Sequence, residues 1–425
     1  MKIEQLHSLF LTCNTVCTDT RRIKNNDLFF ALKGENFNGN SYAEQALKLG
    51  ASYVVIDEIA FNTSPKTILV NNVLETLQEL AAFHRIFLKT PIVALTGSNG
   101  KTTTKELINA VLSQKYNTTA TVGNLNNHIG VPLTLLSMTK NTEIGIIEMG
   151  ANHQKEIEFL CNIAKPDYGY ITNFGKAHLE GFGSVEGVII GKSEMYDFLK
   201  ANDKTIFVNE NDAIQKEKTL NAKRFIFGDH SDCNVQIYFK DAQPFVACNY
   251  NNLTIESQLI GDYNFNNIAA AIAIGNYFKV EDEAIKKAIE TYIPANNRSQ
   301  IIEKNSNKII MDAYNANPTS MTAALLNFEK QKGTKIAFIG DMFELGTDAE
   351  TEHQNIADLA ISLNIDAFYF IGENFFKTKI ESKKTSQYKS FADFKETFDA
   401  SEIKNATLLI KGSRGMALER LLDIL

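Results

Sequence analysis

Short apolar runs bounded by polar or turn-forming positions recur along the whole chain. ASYVVID (51–57), KTILV (66–70), PIVALT (91–96), IGIIE (144–148), YGYIT (168–172) and TIFVN (205–209) are continuous and rich in β-branched residues. That is the pattern of strands buried on both faces. KIIMD (308–312), KIAFI (335–339), DAFYFI (366–371) and TLLIK (407–411) repeat it late in the chain. Between many of them lie stretches with helical spacing, such as KTTTKELINAVLSQ (101–114) and PTSMTAALLNFEKQ (318–331). Strand and helix in alternation predict α/β domains with largely parallel sheets. One stretch differs. The runs near 205–209 and 225–227 are followed by VQIYF and PFVAC, which predicts β-hairpins inserted in or appended to the middle domain. The strand opened by Pro91 and the turn-rich PANN segment (294–297) set boundaries near 88 and 294. Three domains result, 1–88, 89–294 and 295–425, each long enough for a core.

Composition narrows the class. The 425 residues are 44% hydrophobic and 22% charged, which excludes a disordered or fibrous chain. No apolar run approaches the roughly 18–20 residues that cross a bilayer. The start, MKIEQLHSLFLTCNTVC, lacks the continuous apolar stretch of a secretory signal, so a cytoplasmic protein is expected. A net charge of −7 with no basic block argues against nucleic acid as a partner. Five irregularly spaced cysteines suit a reducing compartment.

The strongest local signal is TGSNGKTT (96–103), which follows a strand and opens a helix. A loop there turns backbone N–H groups toward a phosphate at the positive end of a helix dipole. Gly97 and Gly100 permit close backbone approach, with Ser98 and Asn99 between them. Lys101 can reach the β- and γ-phosphates, and the Thr102 hydroxyl can ligate Mg²⁺, with Thr103 beside it. The standard phosphate loop has a glycine where this chain has Leu95, so the glycine pattern is shortened. The bland alternative is a glycine-rich turn capping a helix. Other polar groups stand at strand ends. Glu148 closes an apolar strand, where α/β folds bind ligands. Asn173 and His178 follow another strand, although a lone histidine is more often structural. Taken by itself, Lys192 reads as a surface lysine.

T-G-x-N-G-K-T-T resembles the ATP loop of the Mur ligase family, whose members build the peptide of the UDP-muramic acid precursor. Further segments carry the same resemblance: ITNFGKAHLEGFGS (171–184), GKSEMYDFL (191–199), GDYNFNNIAAAIA (261–273) and NNRSQ (296–300). Tyr263 stands where the family pattern has a histidine. The resemblance implies a central P-loop-type domain with a mostly parallel sheet, a Rossmann-like C-terminal domain and a small α/β N-terminal domain. It implies ATP and two Mg²⁺ ions, with Thr102, Glu148, His178 and an N-carbamylated Lys192 placing the metals. Lys101, Glu148, His178 and Lys192 become the catalytic set. Asn264, Asn267, Arg298, Asp312 and Asn315 join residues 97–103 as nucleotide contacts.

MDAYNANPTS (311–320), GDMFELG (340–346) with His353, and KGSRGM (411–416) narrow the resemblance to members that join D-alanyl-D-alanine to UDP-MurNAc-tripeptide. The front segment 18–40 resembles their uridine-nucleotide site, with Asn38 and Asn40 replacing an Asp and a His. The implied contacts are Asp19, Thr20 and Arg21 for the UDP-sugar, and Asn126, Asn127 and His128 for the muramoyl substrate. Asn317, Lys411, Ser413 and Arg414 complete the substrate set. The expected chemistry is ATP-dependent amide formation through an acyl phosphate, in a monomer of the bacterial cytoplasm. Rival readings are another ligase of the family, a non-catalytic paralogue and a generic P-loop NTPase. Diaminopimelate and lysine both fit as third residue of the tripeptide.

Overall fold

Every residue of Ile92–Thr96 and of Ile144–Glu148 is buried, so these strands need cover on both faces. The period of two divides that cover. Ile92 and Ala94 point into a core with Val131, Leu135, Ile157 and Leu160, while Val93 and Leu95 point into a second with Leu107, Val111, Ile268 and Ile272. Helices therefore sandwich the sheet, as continuous apolar strands require. The computed structural model describes residues 1–295 and 297–425; Asn296, part of the 294–297 turn and of the 296–300 motif, lies outside the described residues.

The central sheet has nine strands. In spatial order they are Leu253–Glu256, Ala247–Tyr250, Val235–Asp241, Arg224–Gly228, Thr205–Asn209, Tyr168–Ile171, Ile92–Thr96, Ile144–Glu148 and Thr118–Ala120. The hairpin expectation holds for the segment from VQIYF onward and is corrected for the run 225–227. Arg224–Gly228 lies parallel to Thr205–Asn209 and extends the main sheet. The crossover is the six-residue helix Ala213–Lys218, N-capped by Asp212, too short to show a helical period. Antiparallel pairing begins only where Val235–Asp241 meets Ala247–Tyr250, and continues to Leu253–Glu256.

A four-stranded parallel sheet (Val16–Cys17, Leu28–Phe30, Tyr53–Ile56, Thr67–Leu69) precedes it. The helix Val73–Leu88 joins the two, since Leu77 and Leu80 share one core with Phe30 on one side and Leu135 and Ile157 on the other. The last sheet has six strands, of which Gln300–Lys304 is antiparallel to Asn307–Asp312 and the rest are parallel. Among the described residues no helix is long and apolar enough to cross a membrane.

Two consequences matter for chemistry. Strand order sets Ile92–Thr96 between Tyr168–Ile171 and Ile144–Glu148, so Thr96, Ile171 and Glu148 end side by side. In the C-terminal sheet, Asp312 pairs in register with Lys411 at the ends of their strands. Loops leaving these carboxyl ends form the crevice in which open α/β sheets bind ligands.

Candidate functional site

The strand Ile92–Thr96 delivers the loop 97–100, and Lys101 begins the helix Lys101–Leu112. Gly97 (φ 144°) and Gly100 (φ 77°) take conformations that L side chains rarely adopt. A Cβ on Gly100 would also sit 2.6 Å from Asn267 Oδ1. The neighbouring strand exit braces the loop. Ser98 N donates to Asn173 O (3.1 Å), Asn99 N to Asn173 Oδ1 (3.0 Å), and Thr172 Oγ1 to Asn99 O (2.6 Å). From the other side Thr104 Oγ1 donates to Asn267 Oδ1 (3.0 Å), and Asn267 Nδ2 to Asn264 Oδ1 (2.8 Å). Asn264 and Asn267, both buried, thus anchor the first turn of the helix that follows the loop.

The loop opens on a cavity of about 580 Å³. Lys101 Nζ folds back onto Gly97 O (2.7 Å) and Ser98 O (3.3 Å). Burial lowers its pKa, Glu148 opposes that, and the positive charge of Arg298 adds to it. Arg298 and Lys411 line the same cavity, as do Thr102, Thr103 and Asp312. Glu148 is 1% exposed. Its Oε1 accepts from Asn126 Nδ2 at 2.7 Å, while Oε2 has no hydrogen-bond partner among the described residues. A buried carboxylate oxygen left unpartnered is costly. Glu148 lines the same cavity as Thr102, and a carboxylate there suits a hard cation that takes oxygen ligands. Among the described residues no group of three or more His, Cys, Asp or Glu converges on a metal position. Phosphate oxygens would have to complete the shell, as is usual for Mg²⁺ bound with a nucleotide.

His178 lines the cavity too, in a left-handed conformation (φ 53°), with Nδ1 bonded to the Glu344 carboxylate. That bond holds the Glu344 pKa down. Lys192 corrects its surface assignment: it is fully buried. The helix Val185–Ala201 turns it inward, where Nζ donates to Ala151 O (3.0 Å) and lies 4.9 Å from the Phe182 ring centre. Burial and the charge of Lys101 drive its pKa well down, favouring the neutral amine. It stands one layer behind the cavity wall.

The C-terminal sheet closes the other side. Asn317 caps the helix Pro318–Glu329 through Ser320 N (2.9 Å) and donates Nδ2 to Asn99 Oδ1 at 2.7 Å, a direct bond onto the phosphate loop. Lys176 reaches across to Glu352 at 2.6 Å, and Lys176 N donates to Thr319 Oγ1 at 3.0 Å. Asp312 accepts from Lys411 Nζ (2.5 Å) and from Ser299 N (3.1 Å). Asn315 faces the cavity, and its main-chain oxygen takes a longer bond from Lys411.

Not every residue singled out in the sequence meets this cavity. Asn126, Asn127 and His128 do, although Asn127 Oδ1 also accepts from Gly130 N (2.9 Å) where the helix Gly130–Leu136 begins. Ser413 is buried behind it, taking a bond from Phe343 N (2.9 Å), and Arg414 is exposed and pairs with Glu419 (3.0 Å). Asp19, Thr20 and Arg21 form a separate surface turn. There Arg21 pairs with Asp19 at 2.7 Å and holds that carboxyl down to about 2. Asn40 is fully buried and bonds Asp57 Oδ1 (2.8 Å), while Asn38 bonds Glu58 (3.0 Å). These two asparagines therefore build the loop. The cavity adds residues that sequence alone did not mark: Asn124, Asn152, Glu156, Phe159, Tyr314 and Thr319. Glu344, in the loop after the strand Thr334–Gly340, and Glu352, on the helix Ala349–Ser362, bond His178 and Lys176 from the C-terminal domain. Tyr314 and Thr319 lie inside a recognised segment, whereas Glu156 and Phe159 sit on an unremarkable amphipathic helix with no local mark.

Comparison with known proteins agrees along the whole chain. Residues 12–91 match the model of the Mur ligase family catalytic domain, residues 95–275 that of the Mur ligase middle domain, and residues 297–414 that of the Mur ligase glutamate ligase domain. The UDP-N-acetylmuramoyl-tripeptide–D-alanyl-D-alanine ligase of Bacillus subtilis is 37% identical over 96% of this chain and 92% of its own length. A crystal structure of MurF from Acinetobacter baumannii superposes with a TM-score of 0.88 at 28% identity, covering 99% of this chain and 98% of that one. MurF ligase from Thermotoga maritima in complex with ADP gives 0.82 at 25% identity, covering 98% and 97%.

Proposed function

The chain belongs to the Mur ligase family and is an ATP-dependent ligase of peptidoglycan-precursor synthesis; we propose that its cleft is where D-alanyl-D-alanine is joined to UDP-MurNAc-tripeptide. One observation carries the assignment of the cleft. Lys101 and Arg298 share a cavity with Glu148, a buried carboxylate with one oxygen unpartnered, an arrangement that suits a polyphosphate together with a cation.

In this reading residues 97–103 and Arg298 take the phosphates of ATP, with Asn264, Asn267, Asp312 and Asn315 bordering the nucleotide. Thr102 and Glu148 would hold one Mg²⁺; His178 and Lys192, as its carbamate, would serve a second. Bound Mg²⁺ supplies charge neutralisation of the transferring phosphoryl group. Lys192 suits carbamylation because a neutral amine adds to CO₂, releasing one proton, and burial keeps it neutral. Asn126, Asn127 and His128 meet the muramoyl peptide, and Asp19, Thr20 and Arg21 the UDP end. Asn317, Lys411, Ser413 and Arg414 serve the dipeptide side, Ser413 from behind the wall. The domains are then 1–88 for UDP-sugar, 89–294 for ATP and 295–425 for closure.

The terminal carboxylate of the tripeptide attacks the γ-phosphorus and ADP leaves, giving an acyl phosphate. The amine of D-alanyl-D-alanine attacks that carbonyl, loses a proton, and phosphate departs. Lys101 and Arg298 spread the negative charge of the first transfer. The Asn317–Asn99 and Lys176–Glu352 contacts hold the C-terminal sheet against the loop and keep water from the acyl phosphate. A monomer in the bacterial cytoplasm completes the proposal.

The test is phosphate release from ATP with UDP-MurNAc-tripeptide, with and without D-alanyl-D-alanine, followed by mass spectrometry. Dipeptide-dependent release with a UDP-MurNAc-pentapeptide mass is expected, and diaminopimelate and lysine tripeptides would be compared. Nucleotide binding without a ligated product from either would overturn the assignment.

A further inference from the structure

Arg298 is presented by an unusual turn. Its neighbours Asn297 (φ 57°) and Ser299 (φ 52°) are both non-glycine residues in the left-handed region. Such backbone persists only where its surroundings enforce it. From the C-terminal sheet, Asp312 Oδ1 accepts from Ser299 N at 3.1 Å, and Tyr314 N donates to Asn297 O at 3.2 Å. The Arg298 guanidinium lies 3.7 Å from the Tyr314 ring centre, a cation–π stack. From the opposite side comes Tyr263, on the turn Asp262–Asn264 that opens the helix Phe265–Tyr277. Its hydroxyl shares a 3.1 Å hydrogen bond with Ser299 Oγ. Burial and the nearby Asp312 carboxylate keep that phenol protonated. Tyr263 is also the position at which this chain departs from the histidine of the family pattern.

We propose that Tyr263 is a positioning residue: through Ser299 it fixes the turn that lays the Arg298 guanidinium on Tyr314, and so aims Arg298 into the cavity. The Asp312 and Tyr314 contacts hold the turn to the C-terminal sheet, and the Tyr263 contact holds it to the central one. Losing the hydroxyl leaves the left-handed pair enforced from one side. The inference rests on the assignment of Arg298 to the ATP phosphates.

Because Tyr263 itself lines the cavity, the test must separate positioning from direct contact with the base. ATP and AMP binding would be measured by calorimetry on the full chain for Tyr263→Phe, Ser299→Ala, Arg298→Ala and Tyr263→Phe/Arg298→Ala. One lost hydrogen bond predicts ATP affinity about fivefold weaker in Tyr263→Phe and in Ser299→Ala. AMP, which lacks the outer phosphates, should bind as before. Added to Arg298→Ala, Tyr263→Phe should cost nothing further. Equal weakening of ATP and AMP, a persistent loss in the Arg298→Ala background, or unchanged ATP affinity in Tyr263→Phe would overturn the proposal. If Arg298→Ala itself binds ATP normally, the phosphate assignment of Arg298 fails and takes the proposal with it, while dipeptide-dependent ligation stands or falls separately.

Discussion

Replacing Glu148 by Gln removes a charge and little else. Gln keeps the acceptor for Asn126 Nδ2, now 2.7 Å from Oε1. That bond passes from charge-assisted, about 1.5–3 kcal/mol, to neutral, about 0.5–1.5 kcal/mol, a loss near 1 kcal/mol. Against this, Glu148 is 1% exposed with one oxygen unpartnered. Burying a charge with incomplete compensation costs several kcal/mol, which the neutral amide relieves. Losing the attraction between Glu148 and the buried Lys101 offsets part of that relief, and the balance should leave the folded state no less stable, with an equal or higher melting temperature. Activity should move the other way. If Glu148 holds the cation, losing it should lower turnover by about 10²–10³, or roughly 2.7–4 kcal/mol of transition-state stabilisation. The Mg²⁺ concentration needed for half-maximal rate should also rise. The assay is dipeptide-dependent phosphate release across a Mg²⁺ titration, paired with thermal melts. A variant that keeps more than about a tenth of its activity at the same Mg²⁺ requirement would refute the metal role. One that melts several degrees lower would show that the carboxylate serves the fold instead.

Two further expectations follow from contacts between domains. Asn317→Ala removes a helix cap, worth about 1 kcal/mol, and the bond to Asn99 on the phosphate loop; a modest loss of stability with about a tenfold fall in kcat is expected. Melting curves and steady-state kinetics check it, and an unchanged kcat would show that the bond does not couple the sheets. At the base of the N-terminal domain, His7 Nε2 and His84 Nδ1 lie 3.0 Å apart, and His84 Nε2 lies 3.0 Å from Met138 O. Since that carbonyl can only accept, His84 carries its proton on Nε2 and accepts from His7. Burial lowers both pKa values below 6.5, and Phe10, Phe83 and Phe87 enclose the His7 ring. Protonation is therefore disfavoured in the fold. The pair's contribution is complete above the ordinary histidine range and is lost as pH falls through about 6.5 toward the lowered values. Melting temperature should drop between pH 8 and pH 5.5, and less steeply in His7→Leu; identical slopes would remove the pair as the cause.

Much of this molecule is local and can be read locally. The ten continuous apolar runs lie within a residue or two of observed strands, because such a run has no stable place except between two covering layers. The phosphate loop was legible because its conformation depends on glycines at fixed offsets and on a helix beginning at Lys101. The helix that opens at Pro318 was legible from its spacing, whereas the capping of that helix by Asn317 came from the structure. Other features had no local mark. Lys192 looked like a solvated lysine until packing of its helix against Ala151 and Phe182 turned it inward. Arg224–Gly228 looked like half of a hairpin, and the direction of pairing was decided by a helix too short to carry a period. Asn38 and Asn40 read only as replacements of an Asp and a His, and their bonds to Glu58 and Asp57 made them framework. Glu156 and Glu352 reach the cavity or its rim from helices whose own patterns are ordinary, and Glu344, although inside GDMFELG, was not singled out there. Sequence by itself determined the elements, their alternation and the chemistry of the loop, because those depend on neighbours along the chain. Which carboxylate is left without a partner, which lysine loses its water and which turn aims Arg298 depend on neighbours in space, and only the tertiary structure decided them.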